Sequence, residues 1–227
     1  MMRVLLGVWY LLAATSFALA GPFEDSIAAF ERGDAVTAVK HLHEAAKQGN
    51  AMAQFNLGLS YYNGEGVPQD RAEAVKWYRM AAEQGDVRGQ SNLGSAYYNG
   101  HGVAQDYAEA VKWFLLAAEQ GDPRAQSNLG SAFYSGKGVP QDYAEAVKWI
   151  RIAAEQGHPN AQWKLGYSYY NGEGVPQDYV LAHTWLNLAA ARGIKSAAET
   201  RDVVAKEMTR DQIAEAQRMA REWKPTQ

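Results

Sequence analysis

The sequence contains no cysteine among its 227 residues. This absence excludes a disulfide framework, a thiolate nucleophile and any metal site built on Cys ligands. A chain without such cross-links must be stabilised by its packed core alone.

The sequence also lacks a strong charge of either sign. Lys and Arg number 22 against 25 Asp and Glu, so the formal net charge at pH 7 is −3. A nucleic-acid-binding domain normally carries a basic surface, and a protein held at a membrane surface often carries a polybasic patch. The composition therefore argues against nucleic acid and against a membrane surface as partners.

The N-terminus carries an apolar run typical of a targeting segment. Arg3 supplies a positive charge before the apolar segment, which begins with residues 4–12. The Ala-Leu-Ala of residues 18–20 fits the small-x-small pattern of a signal-peptidase site. We expect residues 1–20 to be a secretory signal peptide, followed by Gly21 as the first mature residue. The run is short for a membrane span, which needs about 20 apolar residues, although an uncleaved anchor is the alternative. The expected location is the periplasm or the cell exterior, with no stable membrane span after cleavage.

The dominant feature present in the sequence is a 36-residue repeat. The stretch YYNGEGVPQDRAEAVKWYRMAAEQG begins at Tyr61 and returns with few changes from Tyr97, Phe133 and Tyr169. A period of this length is typical of solenoid proteins, in which each repeat is one supersecondary unit stacked on the next. We divide the chain into a signal peptide, an N-terminal partial repeat, four full repeats and C-terminal capping helices, at residues 1–20, 21–50, 51–86, 87–122, 123–158, 159–194 and 195–227.

Each full repeat is predicted to contain two helices, A and B. In the first, helix A covers about residues 51–62 and carries Leu57, Gly58 and Tyr61 on one face. A glycine inside a helix costs about 1 kcal/mol relative to alanine, so its return in every repeat indicates a neighbouring helix that passes close by. Helix B follows a turn, and Asp70 is its expected N-cap, with Glu73 completing a capping box.

A tryptophan recurs at one position of each helix B. The four are Trp77, Trp113, Trp149 and Trp185. A large side chain at a fixed helical phase is typical of core packing, and we expect this column to supply the large core side chain of each repeat. An aromatic ligand cage is the alternative.

The double-glycine loop NGEGVPQD that precedes helix B could be mistaken for a phosphate-binding loop. It lacks the Lys-Ser/Thr pair and the preceding strand of such loops. Asp70 at the helix start would also repel an anion. We therefore interpret the loop as a structural turn.

The sequence shows no catalytic constellation. None of its five His residues forms an H-x-x-x-H or H-E-x-x-H pair, and no Ser has the G-x-S-x-G context. His101 and His158 occupy loop and turn positions that we interpret as tolerant of change. The prediction is a protein that is not an enzyme and holds no cofactor and no metal; a hydrolase with a buried carboxylate pair is a minor alternative.

The repeated columns resemble the Sel-one-like repeat family, a relative of the tetratricopeptide repeat. The matching signature is A-Q-x-x-L-G-x-x-Y-Y-x-G-x-G-V-x-Q-D followed by A-x-x-W-x-x-x-A-A, and it covers residues 51–193. The resemblance implies an all-α fold, a right-handed α-solenoid of stacked antiparallel helix pairs. It also implies a scaffold for protein–protein contacts, here exported from a bacterial cell.

If tetratricopeptide geometry carries over, the A helices line a concave face. The residues predicted to bind a partner there are Arg88, Asn92, Arg124, Asn128, Trp163, Lys164 and Tyr167. Asn can hydrogen-bond an extended peptide backbone, and Arg suits a carboxylate. The expected partner is a protein or peptide segment of unspecified identity. The alternatives are a solvated groove without a partner and a glycan-binding or cell-wall-associated module, in which Trp163 and Tyr167 stack on sugar rings.

Overall fold

The structure is a computed structural model and describes residues 21–226. The predicted signal peptide at residues 1–20 therefore lies outside the described residues. All regular secondary structure in the described range is helical, with twelve α-helices and one 3₁₀ turn at Ala205–Glu207. The helices are α1 (Pro22–Glu31), α2 (Ala35–Lys47), α3 (Ala51–Asn63), α4 (Arg71–Glu83), α5 (Val87–Asn99), α6 (Tyr107–Glu119), α7 (Pro123–Ser135), α8 (Tyr143–Glu155), α9 (Pro159–Asn171), α10 (Tyr179–Ala191), α11 (Lys195–Val204) and α12 (Arg210–Glu222).

The chain divides into two compact units, one ending at Gln84 and one starting at Gly85. The first contains α1 to α4, and its core includes Leu42, Leu57 and Trp77. The second contains α5 to α12, in which successive helices pack as pairs. Together with the 36-residue spacing between the starts of α5, α7 and α9, this confirms the predicted fold class, an all-α solenoid of antiparallel helix pairs.

The helical glycines mark the closest approach of the two helices of a repeat. A Cβ added to Gly130 of α7 would lie 2.5 Å from Cγ1 of Ile150 in α8. A Cβ added to Gly166 of α9 would lie 2.7 Å from Cγ of Leu186 in α10. The prediction that a helix passes close to this column is confirmed, and that helix is helix B of the same repeat.

The large core side chain of helix B is not the predicted tryptophan in every repeat. Trp77 is buried, with 9% of its surface exposed, but Trp113, Trp149 and Trp185 are only partly buried. The next residue along the chain is the fully buried one: Phe114 and Ile150 are 1% exposed. The prediction was wrong in register because the space opposite the helical glycine faces the residue after the tryptophan.

Each B helix of the full repeats has an aspartate N-cap, as predicted. The reciprocal hydrogen bond that would complete a capping box does not form in these helices. The Asp106 side chain accepts a hydrogen bond from the backbone N–H of Glu109 at 3.0 Å. The backbone N–H of Asp106 donates instead to the carbonyl of Tyr97. The Glu109 carboxylate is therefore left to accept from Lys112 and from the indole N–H of Trp113.

Within the second unit, a buried glutamine on α7 and another on α9 join successive helix pairs. Gln126 of α7 donates to the carbonyl of Ala118 in α6 at 3.1 Å and accepts from Gln156, which follows α8, at 2.8 Å. In the fourth repeat Arg192 stands at the position of Gln156 and donates to the carbonyl of Gly157. These bonds fix the A helices of the second unit relative to one another, which positions the site described below.

Helices α11 and α12 both pack against α10. Helix α11 ends at Val204 and is followed directly by the 3₁₀ turn. Thr209 and Gln212 form a full capping box at the start of α12. This helix packs on α10, where the indole rings of Trp185 and Trp223 lie 6.1 Å apart.

The glycine loops have a structural role. Gly174 has a positive φ of 74°, and an added Cβ would overlap the backbone of Tyr143 at the start of α8. The loop therefore lies directly against the preceding repeat, which supports its interpretation as a turn. None of the helices in residues 21–226 is both long and apolar enough to span a membrane.

Candidate functional site

Three adjoining cavities lie along the A helices of the second unit, and we call them together the α5–α7–α9 groove. The aromatic cavity has a volume of about 470 Å³ and is lined by Tyr98, Ser131, Tyr134, Ser135, Ile150, Trp163, Lys164, Tyr167 and Ser168. The polar cavity has a volume of about 230 Å³ and is lined by Ser95, Tyr98, Asn99, Phe114, Asn128, Ser131 and Lys164. The basic cavity has a volume of about 420 Å³ and is lined by Arg124, Ser127, Asn128, His158, Asn160, Trp163 and Lys164.

Lys164 of α9 is the one residue that lines all three cavities. Its ammonium group donates to the hydroxyl of Ser131 and lies 3.4 Å from both the carbonyl and the hydroxyl oxygen of Ser127. All of these acceptors are neutral. Within the described residues no carboxylate forms an ion pair with Lys164, and burial lowers the pKa of its ammonium to about 8.

The two arginines predicted to bind a partner differ from Lys164, because each lies beside an aspartate of its own repeat. The guanidinium of Arg88 is 2.9 Å from the Asp86 carboxylate. That of Arg124 is 3.7 Å from the Asp122 carboxylate. Both arginine side chains remain well exposed, at 43% and 53%, so their charges are screened by water.

His158 occupies the position that Asp86 and Asp122 hold in the two preceding repeats. Its Nδ1 accepts a hydrogen bond from the backbone N–H of Ala161 at 3.3 Å and so caps α9. Burial lowers the pKa of His158, and the nearby Lys164 charge lowers it further. The interpretation of His158 as a tolerant surface position was wrong, since an N-cap must supply a hydrogen-bond acceptor.

Aromatic rings form the walls of the aromatic cavity. The rings of Trp163 and Tyr167 lie 6.5 Å apart and are tilted by 51°, and Tyr167 is 39% exposed. The hydroxyl of Tyr134 donates to the Glu173 carboxylate at 2.5 Å. Burial and this hydrogen bond raise the pKa of Tyr134, so the ring stays neutral and fixed in place.

The structure brings together most of the residues predicted to bind a partner. Those that line the groove are Arg124, Asn128, Trp163, Lys164 and Tyr167. Arg88 and Asn92 lie on α5, outside these three cavities, and Asn92 is partly buried. For all seven residues the binding role stays a prediction.

Sequence reasoning missed Tyr98 and Tyr134 as lining residues. The available signal was a tyrosine directly after the core aromatic in every repeat, at Tyr62, Tyr98, Tyr134 and Tyr170. Two adjacent aromatics on one helix face different directions, so the second could not belong to the same core column as the first.

The arrangement of the groove is suited to binding. It offers hydroxyl and amide groups, one partly buried cation and several aromatic surfaces. Among residues 21–226 no three potential metal ligands of the His, Cys, Asp and Glu types converge.

The chain was compared with known protein families and structures. The Sel1 repeat matches at residues 28–50, 51–86, 87–122, 123–158 and 159–194. A protective antigen of uropathogenic Escherichia coli with an SLR fold is 36% identical with a TM-score of 0.83; the match covers 89% of this chain and 44% of the antigen. A Sel1 repeat protein from Oxalobacter formigenes is 42% identical with a TM-score of 0.67, over 75% of this chain and 50% of that protein. A putative Sel1 repeat protein from Klebsiella pneumoniae is 25% identical with a TM-score of 0.50, over 81% of this chain and 91% of that protein.

The matches to the first two structures span about half of those proteins' own lengths. No curated protein matches the sequence. The family match extends from the partial first repeat through all four full repeats. These repeats, together with solved structures that are 36% and 42% identical over 89% and 75% of this chain, show that the chain belongs to the Sel1 repeat family.

Proposed function

We propose that this chain is an exported, non-enzymatic scaffold that binds an extended segment of a protein partner in the α5–α7–α9 groove. Membership of the Sel1 repeat family supports a role in protein interaction in general. The observation that carries the more specific proposal is the continuity of the groove: three cavities on consecutive A helices share Lys164. A continuous path of this kind fits an extended chain better than a compact ligand.

The polar groups of the groove support recognition of a peptide backbone. Asn128 is only partly buried and offers both a carbonyl acceptor and amide donors. Peptide groups that lose water on binding must be given replacement partners, because an unpaired buried amide costs about 1–3 kcal/mol. Asn128 could supply both kinds of hydrogen bond to a single peptide unit.

The proposal is tested by capture with crosslinking. The mature protein, residues 21–227, is used as bait in the periplasmic or secreted fraction. Capture by the parent protein is compared with that of a variant carrying both Arg88→Glu and Arg124→Glu. We expect the variant to lose the captured protein, since Arg124→Glu places negative charge in the basic cavity and Arg88→Glu places it at the equivalent position of α5.

A charge-matched control separates this effect from a general change in charge. Lys112→Glu with Lys148→Glu makes the same change in net charge on α6 and α8, where each lysine pairs with a glutamate of its own helix. This variant should capture the partner as well as the parent does. Equal capture by both variants and the parent would refute a role of the A-helix face.

Export is tested separately. We expect the full chain to be recovered outside the cytoplasm with Gly21 at its N-terminus, and a chain lacking residues 1–20 to remain in the cytoplasm. Recovery of the full chain in the cytoplasm, with residues 1–20 still attached, would overturn this part of the proposal.

Glycan binding is a second candidate, supported by the exposed ring of Tyr167 beside Trp163. Aromatic rings of this kind can stack on apolar faces of ligands. Retention of the parent on a glycan array, lost on Tyr167→Ala, would favour this function over peptide capture.

A further inference from the structure

Lys164 changes the chemistry of one position in the groove. The corresponding residues on α5 and α7 are Asn92 and Asn128. In α9 the same position places a cation between the aromatic cavity and the basic cavity. A single repeat has therefore acquired a charge that the two preceding repeats lack.

The ammonium of Lys164 has no counter-ion in the described part of the chain. In that part of the chain it donates hydrogen bonds only to Ser127 and Ser131, and removing an ammonium from water without a paired charge is costly. Position 158 is a histidine, whereas Asp86 and Asp122 place a carboxylate at the same position of the two preceding repeats. Two serines therefore hold the Lys164 ammonium in place, and an anionic group of a ligand could pair with it.

The other charged groups around Lys164 are already engaged. From α7, Arg124 lies beside Asp122, and that carboxylate also accepts from the backbone of Ala125 and from Ser91. Beyond α9, Glu173 accepts the hydroxyl of Tyr134. His158 lies close enough that the Lys164 charge affects its pKa. None of these groups neutralises the ammonium.

An apolar space adjoins the cation. The aromatic cavity of about 470 Å³ is walled by Tyr98, Tyr134, Ile150 and Trp163, with Lys164 on its border. This volume lies within the usual range of ligand pockets and is sufficient for a large apolar side chain. A ligand that uses both features must carry a negative charge next to an apolar group.

We propose that the groove selects an internal protein segment in which an Asp or Glu side chain pairs with Lys164 and an adjacent aromatic or large aliphatic side chain enters the aromatic cavity. This inference rests on the proposed function. The carboxylate belongs to a side chain rather than to a chain terminus, because the polar cavity and the basic cavity continue the groove beyond Lys164. The bound chain can therefore extend past the ion pair in both directions.

The test uses a displayed library of random 12-residue peptides, fused internally so that no free carboxyl terminus is present. The baits are the mature protein and its Lys164→Asn variant, which places in α9 the residue that α5 and α7 carry. Thermal melts by circular dichroism verify that both baits are folded. The most enriched peptide is then synthesised in two forms, one with its acidic residue and one with the corresponding amide, and the affinities are measured by titration calorimetry.

We expect the parent to enrich peptides with an acidic residue next to an aromatic or large aliphatic residue, and the variant to lose the acidic preference. The acid-to-amide change should weaken binding to the parent by about tenfold or more, as for a charge-assisted hydrogen bond, and change binding to the variant by less than about twofold. Between pH 7 and pH 9 the affinity of the parent should fall as Lys164 loses its proton, since its pKa is about 8. The affinity of the variant should stay constant over that range.

Other outcomes separate this inference from the proposed function. Peptides that bind both baits equally, or bind without an acidic residue, would overturn the Lys164 assignment and leave peptide binding intact. A carboxylate effect found only with a free carboxyl terminus would also overturn it, because the proposal is an internal segment. If neither the parent nor the variant enriches any peptide over an empty support, both the inference and the peptide-groove function would be overturned.

Discussion

The ring of Phe114 lies directly over Gly94, so that a Cβ added to this glycine would be 2.7 Å from Cδ1 of the ring. This relationship joins α5 to α6. It explains why the helix tolerates a glycine in its interior and why the residue after Trp113, rather than Trp113 itself, is the fully buried one. The glycine and the large side chain are two halves of one packing contact.

Replacing Gly94 with alanine should destabilise the protein, although alanine is the better helix former by about 1 kcal/mol. The new methyl group would collide with Phe114 and lie 3.2 Å from the carbonyl oxygen of Ala110. Overpacking of this kind costs typically about 1–3 kcal/mol, so we expect a net loss in chemical denaturation.

Gly89→Ala in the same helix is the matched control. Ala125 and Ala161 occupy the equivalent position in the next two repeats and are fully buried there. This variant should therefore gain up to about 1 kcal/mol from helix propensity. A loss of stability in Gly89→Ala, or a gain in Gly94→Ala, would contradict the packing argument.

Phe114→Ala should cost more stability than Trp113→Ala. Phe114 is 1% exposed, and truncation of a buried phenylalanine typically costs about 3–5 kcal/mol. Trp113 is partly buried and uses its indole N–H to donate to Glu109, so its loss should cost at least about 1 kcal/mol less. Urea denaturation followed by far-ultraviolet circular dichroism measures both without relying on Trp fluorescence. Equal losses in the free energy of unfolding for the two variants would contradict the assignment of Phe114 as the principal core side chain.

Lys164→Met should raise the melting temperature at pH 7. The variant keeps the aliphatic part of the side chain and removes a partly buried charge that has no counter-ion among residues 21–226. The pKa of Lys164 in the folded protein is about 8, lowered from 10.5 by burial. Between these values the unfolded state binds more protons, so the stability of the parent should rise with pH across that interval.

The advantage of Lys164→Met over the parent should accordingly shrink between pH 8 and pH 10. Scanning calorimetry of both proteins at several pH values measures this difference. A difference in melting temperature that does not change with pH would show that the Lys164 ammonium does not cause the lower stability of the parent.

His158→Asp should stabilise the protein at pH 7 by up to about 1 kcal/mol, because a carboxylate is a good N-cap acceptor. At the same position in α7, Asp122 accepts from Ala125 at 2.6 Å, compared with 3.3 Å between His158 and Ala161. Buried beside Lys164, His158 has a lowered pKa. As the pH falls below 6.5 the unfolded state therefore takes up a proton first, and the parent loses this contribution to stability.

The aspartate variant should lack that loss, so its advantage over the parent should grow from pH 7 to pH 5. Thermal melts at the two pH values test this. The new carboxylate should also weaken binding of the acidic peptide, since it would supply Lys164 with a counter-ion. An advantage that shrinks on acidification would contradict the N-cap assignment.

The helices and their pairing could be predicted from the sequence because they depend on local, repeated signals. Asp106 at a helix start, Gly94 at a close contact and the 36-residue spacing each act within one repeat or between neighbours. The expected capping box at Asp106 and Glu109 failed for a tertiary reason. The Asp106 backbone N–H donates to the carbonyl of Tyr97 across the loop, which leaves Glu109 free for other partners.

The sequence by itself determined a helical repeat protein, since the period, the glycines and the caps act over short distances along the chain. Only the tertiary structure decided which large side chain fills the space over each glycine, that Tyr98 and Tyr134 line a cavity, and that Lys164 lies beside them with no carboxylate partner in the described range. The first of these facts depends on how the two helices of one repeat pack, and the other two depend on side chains from different repeats that meet across α5, α7 and α9. Burial and the pairing of charges depend on such contacts between residues that are distant in sequence, and a local sequence pattern does not predict these contacts.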